Sequence, residues 1–224
     1  MKKTRNTVGG LWICFALGLL ASGYAGAEEA YRKAILDAMV IEEHEIVTLP
    51  VPVAYENGKV KAVTWTKYHG NYTEGKEMKT TWGDSWVTLD NAVKSRCGHF
   101  ERKTLHRDIH KLLGLPLGDE HEYRFVTLMV DYDDLFRPCA DPSLEKKKCT
   151  AEFPEDVSQG HRDWHESQSE KSYQTGGGYP WTRLGYTYNW KPDQNEIGPA
   201  EFVIKRNSTI LPVSITKPED YCRE

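Results

Sequence analysis

Four cysteines, Cys97, Cys139, Cys149 and Cys222, constrain this chain more than any other feature, because the segment ahead of them reads as an export address. Lys2, Lys3 and Arg5 form a positive start, and Leu11 to Leu20 (LWICFALGLL) is an apolar run. Ala25-Gly26-Ala27 then offers small residues just before Glu28. That order is the pattern of a cleavable secretory signal peptide. Ten apolar residues rise only about 15 Å as a helix, half of a bilayer core of about 30 Å. The fifth cysteine, Cys14, lies inside the apolar run and leaves with it. An even set of four in an exported chain reads as two disulfides. The intervening ADPSLEKKK is short and polar, which favours Cys139–Cys149 and leaves Cys97–Cys222. There is no CxxC, so neither a thioredoxin-type centre nor a zinc ribbon is indicated.

The expected organisation is a signal peptide over 1–27 and one globular domain over 28–224. The location that follows is periplasmic or secreted, and the short Lys-Lys start suits a bacterial exporter. Removing three cations from a chain of formal net charge −4 leaves the mature part at −7. Such a surface repels nucleic acid and anionic head groups, so no nucleic-acid partner is expected. No second long apolar run follows, so no transmembrane segment remains after cleavage.

Residues 28–44 read as an amphipathic helix with Tyr31, Ile35 and Met39 on one face. Ile46 to Tyr55 and Lys59 to Tyr68 are β-type runs around Asn57-Gly58, a hairpin signal in which both central residues take positive φ. Pro50 and Pro52 make the first run an edge. Ser85 to Asp90 is a short strand. Glu101 to Leu113 is a helix stopped by Gly114 and Pro116. Glu122 to Tyr132 is a strand with both faces buried. Gly160 to Tyr173 is a polar helix, followed by the break Gly176-Gly177-Gly178. Tyr179 to Trp190 is a strand, and Glu201 to Lys205 and Thr209 to Ile215 are the last strands. The sum is an α+β fold: a mainly antiparallel sheet with two or three helices, stabilised by disulfides.

Chemistry has few places to sit. HRDIH at 106–110 and HRDWH at 161–165 each put two histidines four apart, on one side of a helix. His106 and His110 fall beside an apolar stripe, toward its polar side, and read as flank residues. In the second piece apolar residues are sparse. His161 and His165 with Glu166 could serve catalysis, and with Glu170 could ligate zinc or another divalent metal. A solvated helix is the competing explanation, because HxxxH alone is a weak signal. Asp131, Asp133 and Asp134 crowd a strand end, where carboxylates bind hard metals or merely start turns. No GxSxG elbow is present.

Trp and Tyr are plentiful, at 7 and 12. Tyr186, Tyr188 and Trp190 share one strand face, with Trp181 and Arg183 on the other. Facing outward they would form a ligand-binding platform; facing inward they are core. Two functions follow. One is a non-catalytic binding protein of the cell envelope, with a small molecule, glycan or envelope protein as partner. The alternative is a small extracytoplasmic hydrolase, metal-assisted through the His/Glu cluster.

Overall fold

The computed structural model describes residues 13–174 and 176–223, and of residues 13–25 the backbone alone. The cationic start of the leader, Lys2, Lys3 and Arg5, and the first apolar residues, Leu11 and Trp12, lie outside the described residues. In chain order the elements are α1 (Ile13–Ala38), β1 (Lys59–Thr66), β2 (Met78–Lys79), β3 (Ser85–Leu89), α2 (Asp90–Cys97) and α3 (Leu105–Leu112). Then come β4 (Arg124–Asp131), β5 (Leu135–Phe136), α4 (Gln159–Ser172), β6 (Tyr186–Tyr188), β7 (Ile197–Ile204), β8 (Thr209–Thr216) and α5 (Pro218–Tyr221).

The described strands form one sheet in the order β2-β8-β4-β1-β3-β7-β5, with β6 also paired to β7. Every pairing is antiparallel. This is the expected α+β class. Alternation along the strands sends residues to two cores. Val60 and Ala62 of β1, Val126, Leu128 and Val130 of β4, and Phe202 and Ile204 of β7 join one. Val63, Trp65 and Phe125 face the other, under Val93 of α2, Leu105, Ile109 and Leu112 of α3, and Tyr221 of α5. β4 therefore is buried on both faces, as its continuous apolar run predicts.

Both disulfides pair as expected, Cys97 with Cys222 and Cys139 with Cys149. The first joins the end of α2 to the chain just after α5. Tyr221 stacks on Phe125 at 3.9 Å between ring centroids, and its hydroxyl donates to the Asp90 carbonyl. The second closes a loop packed on the other core. Leu144 of that loop is buried, and Lys147 accepts from the Leu49 N–H at 2.7 Å. Arg137 is fully buried there, donating to Pro50 O and Leu144 O with its guanidinium over the Phe202 ring.

Several local expectations are corrected. Ile46 to Tyr55 forms no strand and joins no ladder; it is held by isolated bonds such as that from Leu49. The Asn57-Gly58 turn forms, with the Tyr55 N–H donating to Lys59 O at 2.8 Å. Only Gly58 takes positive φ, at 75°, so the turn is not the two-residue type the sequence implied. The helix expected over 101–113 is shorter, and α2 precedes it across a turn. Asp90 at its start and Lys94 and Arg96 near its end suit the helix dipole, although its apolar pattern is weak.

The first helix continues without a break through Ala25-Gly26-Ala27 and ends at Ala38. Its packed face is Ala30, Tyr31, Ala34 and Ala38, against Leu117, Tyr188 and Trp190. Met39 is exposed, so the face predicted from Tyr31, Ile35 and Met39 is rotated toward the small alanines. Alanine lets the helix axis approach the aromatic rings closely. All of these contacts lie beyond the expected cleavage point.

Candidate ligand-binding cavity

α4 begins at Ser158, whose side chain accepts from the His161 N–H as an N-cap. The helix presents His161, Trp164 and His165 to the protein and leaves Glu166 and Glu170 exposed. His161 Nε2 meets the Cys139 carbonyl at 2.8 Å. Its ring stacks on Trp164, and His165 lies between Phe153 and Trp181. Burial, reinforced by His161 and Arg183, holds the His165 pKa down at about 4, so its ring is neutral at pH 7. Burial lowers that of His161 as well. The four residues thus do not converge. Among the described residues no group of three His, Cys, Asp or Glu side chains is placed to hold a metal ion. Packing against aromatic rings, which sparse aliphatic residues concealed, accounts for both histidines.

An open groove of about 810 Å³ does bring His161 beside Asp133, along with Asp141, Trp164 and Lys205. His165 is not part of it, and Asp131 instead pairs with Lys59 at 3.2 Å. The HRDIH piece lies elsewhere. His106 meets Glu120 O and Glu219 Oε1. His110 is fully buried against Trp65 and Tyr123, with Nδ1 at 2.8 Å from Pro116 O. His110 is therefore a core residue, not one on the polar side.

The aromatic segment is also core. Tyr186, Tyr188, Trp190 and Trp181 are buried, so they make no exposed platform. Tyr186 donates to Glu45 O, Tyr188 to Asp37 Oδ2 and Trp190 Nε1 to Leu115 O. Arg183 adopts φ 59° and donates to Met39 O at 2.7 Å. Only Tyr186–Tyr188 is strand. It packs close to β7 because position 198 is glycine: a Cβ there would lie 2.1 Å from Thr187 Oγ1 and 2.9 Å from Leu112 O.

A different set of residues converges. On the helix-covered face of the sheet, Val63 of β1 pairs with Thr88 of β3, and Thr88 with Glu201 of β7. Side by side in register, these three point the same way. They line a cavity of about 330 Å³ with Trp65, Tyr68, Tyr72, Trp82, Trp86, Phe125, Asp84 and Thr187. That is the lower range of small-molecule pockets. Its wall is continuous with α4: Trp164 donates to Asp84 Oδ2 at 2.8 Å and lies against Trp86.

Three polar groups of this cavity are more than nine-tenths buried. Glu201 is 8% exposed, Trp65 8% and Thr88 6%. Among the described residues Trp65 Nε1 and Thr88 Oγ1 find no hydrogen-bond partner. Burial alone raises the Glu201 pKa to about 8, with no hydrogen bond or neighbouring charge contributing. A buried polar group without a partner is destabilising by about 1–3 kcal/mol. Three around one cavity mark a place built for a guest rather than for the empty fold.

In the sequence Glu201 reads only as the start of a strand. The available signal was a lone acid in the otherwise apolar run IGPAEFVI, on the parity opposite Phe202. No protein-family model, curated protein or solved structure matches the chain.

Proposed function

We propose that this is an exported, disulfide-bonded binding protein of the cell envelope that holds a small molecule in the Glu201 cavity without transforming it. The observation that carries this reading is the convergence of three unpartnered, buried polar groups in one aromatic-walled cavity. Apolar walls supply affinity and a few fixed polar groups supply orientation, the usual division of labour in a pocket. Two disulfides and the leader-like start support folding outside the cytoplasm. Among the described residues no helix is long and apolar enough to cross a membrane. The described contacts of α1 with Leu117, Tyr188 and Trp190 are made by Ala30, Tyr31, Ala34 and Ala38, so removal of 1–27 would leave those contacts intact.

The hydrolase alternative receives less support, because Glu166 and Glu170 point to solvent and both α4 histidines are engaged with aromatic rings. The reading is tested with the neutral apolar fluorophore N-phenyl-1-naphthylamine, added to the processed, oxidised protein. Saturable one-to-one fluorescence enhancement is expected, lost in Thr88→Phe, which fills the cavity while retaining native circular dichroism. Absence of saturable binding, or equal binding by a natively folded Thr88→Phe, would refute a ligand cavity at this place.

A further inference from the structure

The charge and surface of the cavity narrow its guest. Six aromatic side chains line it, Trp65, Tyr68, Tyr72, Trp82, Trp86 and Phe125, together with the carboxyls of Glu201 and Asp84. Among the described residues no Lys, Arg or His lines it. A neutral apolar guest gives no reason for a buried carboxyl, since leucine or glutamine at 201 would avoid placing an ionisable group there. An anionic guest would meet like charge and no donor stronger than an indole N–H or a hydroxyl. A cation with an apolar skin satisfies every wall at once. Its charge sits against aromatic faces, whose quadrupoles attract cations, and against a carboxylate that otherwise lacks a counter-ion. Its methyl groups fill apolar surface without demanding hydrogen bonds.

We infer that the Glu201 cavity takes an alkylated organic cation of the quaternary-ammonium class, with Glu201 as counter-ion and the surrounding rings as the cage. The inference rests on reading this cavity as a ligand site. Primary ammonium is a poorer fit, because three N–H donors would need three acceptors among mostly aromatic walls. Thr88 Oγ1 and Trp65 Nε1 remain for a hydroxyl or carbonyl on the guest's substituent.

Binding has a proton signature. In the empty protein at pH 7 the Glu201 carboxyl is mostly protonated, and a bound cation draws it to the ionised form. Capture of the cation therefore releases a proton, and affinity rises about tenfold per pH unit from pH 6 to 7, levelling off above about pH 8. The other titratable groups on the cavity wall are Asp84, Tyr68 and Tyr72. Behind the wall Tyr173 senses the Glu201 charge, and its pKa is pushed up to about 12 by burial. Burial pushes the Tyr72 phenol up to about 12 as well, so neither Tyr72 nor Tyr173 titrates in that window.

The test compares choline with its neutral isostere 3,3-dimethylbutan-1-ol by calorimetry and tryptophan fluorescence, on wild type and Glu201→Gln. Choline is expected to bind saturably, at least tenfold tighter than the isostere at pH 8. Glu201→Gln should weaken choline at least tenfold and abolish its advantage over the isostere. Equal affinity for the two isosteres, no choline binding, or unaltered choline binding by Glu201→Gln would each overturn the cation inference. Retained binding of the fluorophore in those cases would leave the ligand cavity standing, whereas its loss in wild type would remove both.

Discussion

Replacing Cys97 and Cys222 together by serine is expected to lower stability by about 5 kcal/mol. The two cysteines are 125 residues apart, and a tie across so long a segment removes much entropy from the unfolded chain, about 5 kcal/mol in the loop-entropy account. The native side of the balance agrees in direction. Cys97 belongs to the core under α2 and α3, and the bond anchors α5, whose Tyr221 covers Phe125. The bond Cys139–Cys149 spans only 10 positions, and its loss is expected to have the smaller effect, about 3 kcal/mol. Urea unfolding of each double serine variant, followed by tryptophan fluorescence, measures both. A larger loss on removing the short loop would contradict this ranking.

The second large effect is a dependence on pH set by one carboxyl. Folded Glu201 titrates at about 8, against 4.5 in an unfolded chain. The folded protein thus binds more protons than the unfolded one between these values, and its stability falls as pH rises. The stabilisation is full below about pH 4.5 and is lost as pH passes 8. The shift corresponds to a loss on the order of 4–5 kcal/mol across that window. Glu201→Gln keeps the shape and removes the titration. Relative to wild type, it should become progressively more stable from pH 5 to pH 8. The comparison is made between the two proteins because His165 acts in the opposite sense. Its depressed pKa, about 4, gives stability present above pH 6.5 and lost toward pH 4. Urea unfolding across pH 4–9 tests this, and a constant difference between the two proteins would contradict it.

What was legible in the chain followed from its periodicities and its cysteines. The run RFVTLMVD could be read as a doubly buried strand because both parities are mostly apolar. The disulfide pairing could be read because one pair lies on a short polar loop. The polar helix α4 could be placed, but not its purpose. Its apolar contacts are made by Trp164 and two imidazoles rather than by aliphatic residues, so its buried side was invisible to hydrophobic counting. The aromatic segment 179–190 misled for a related reason. A tyrosine whose hydroxyl finds an internal acceptor, as Tyr186 finds Glu45 O, can be core or platform, and its partner comes from a distant element. Glu201 was missed because a site made by lateral strand neighbours is set by register, and Val63, Thr88 and Glu201 are far apart in sequence.

The protonation state of Glu201 in the empty and occupied protein tests the account most directly. Carbon-13 labelled glutamate, assigned by its absence in Glu201→Gln, reports that state by NMR or by the infrared carbonyl stretch at pH 7. A protonated-carboxyl signal is expected in the empty protein, converting to carboxylate as choline saturates the cavity. A Glu201 signal already ionised at pH 7, or one that choline leaves unchanged, would contradict it.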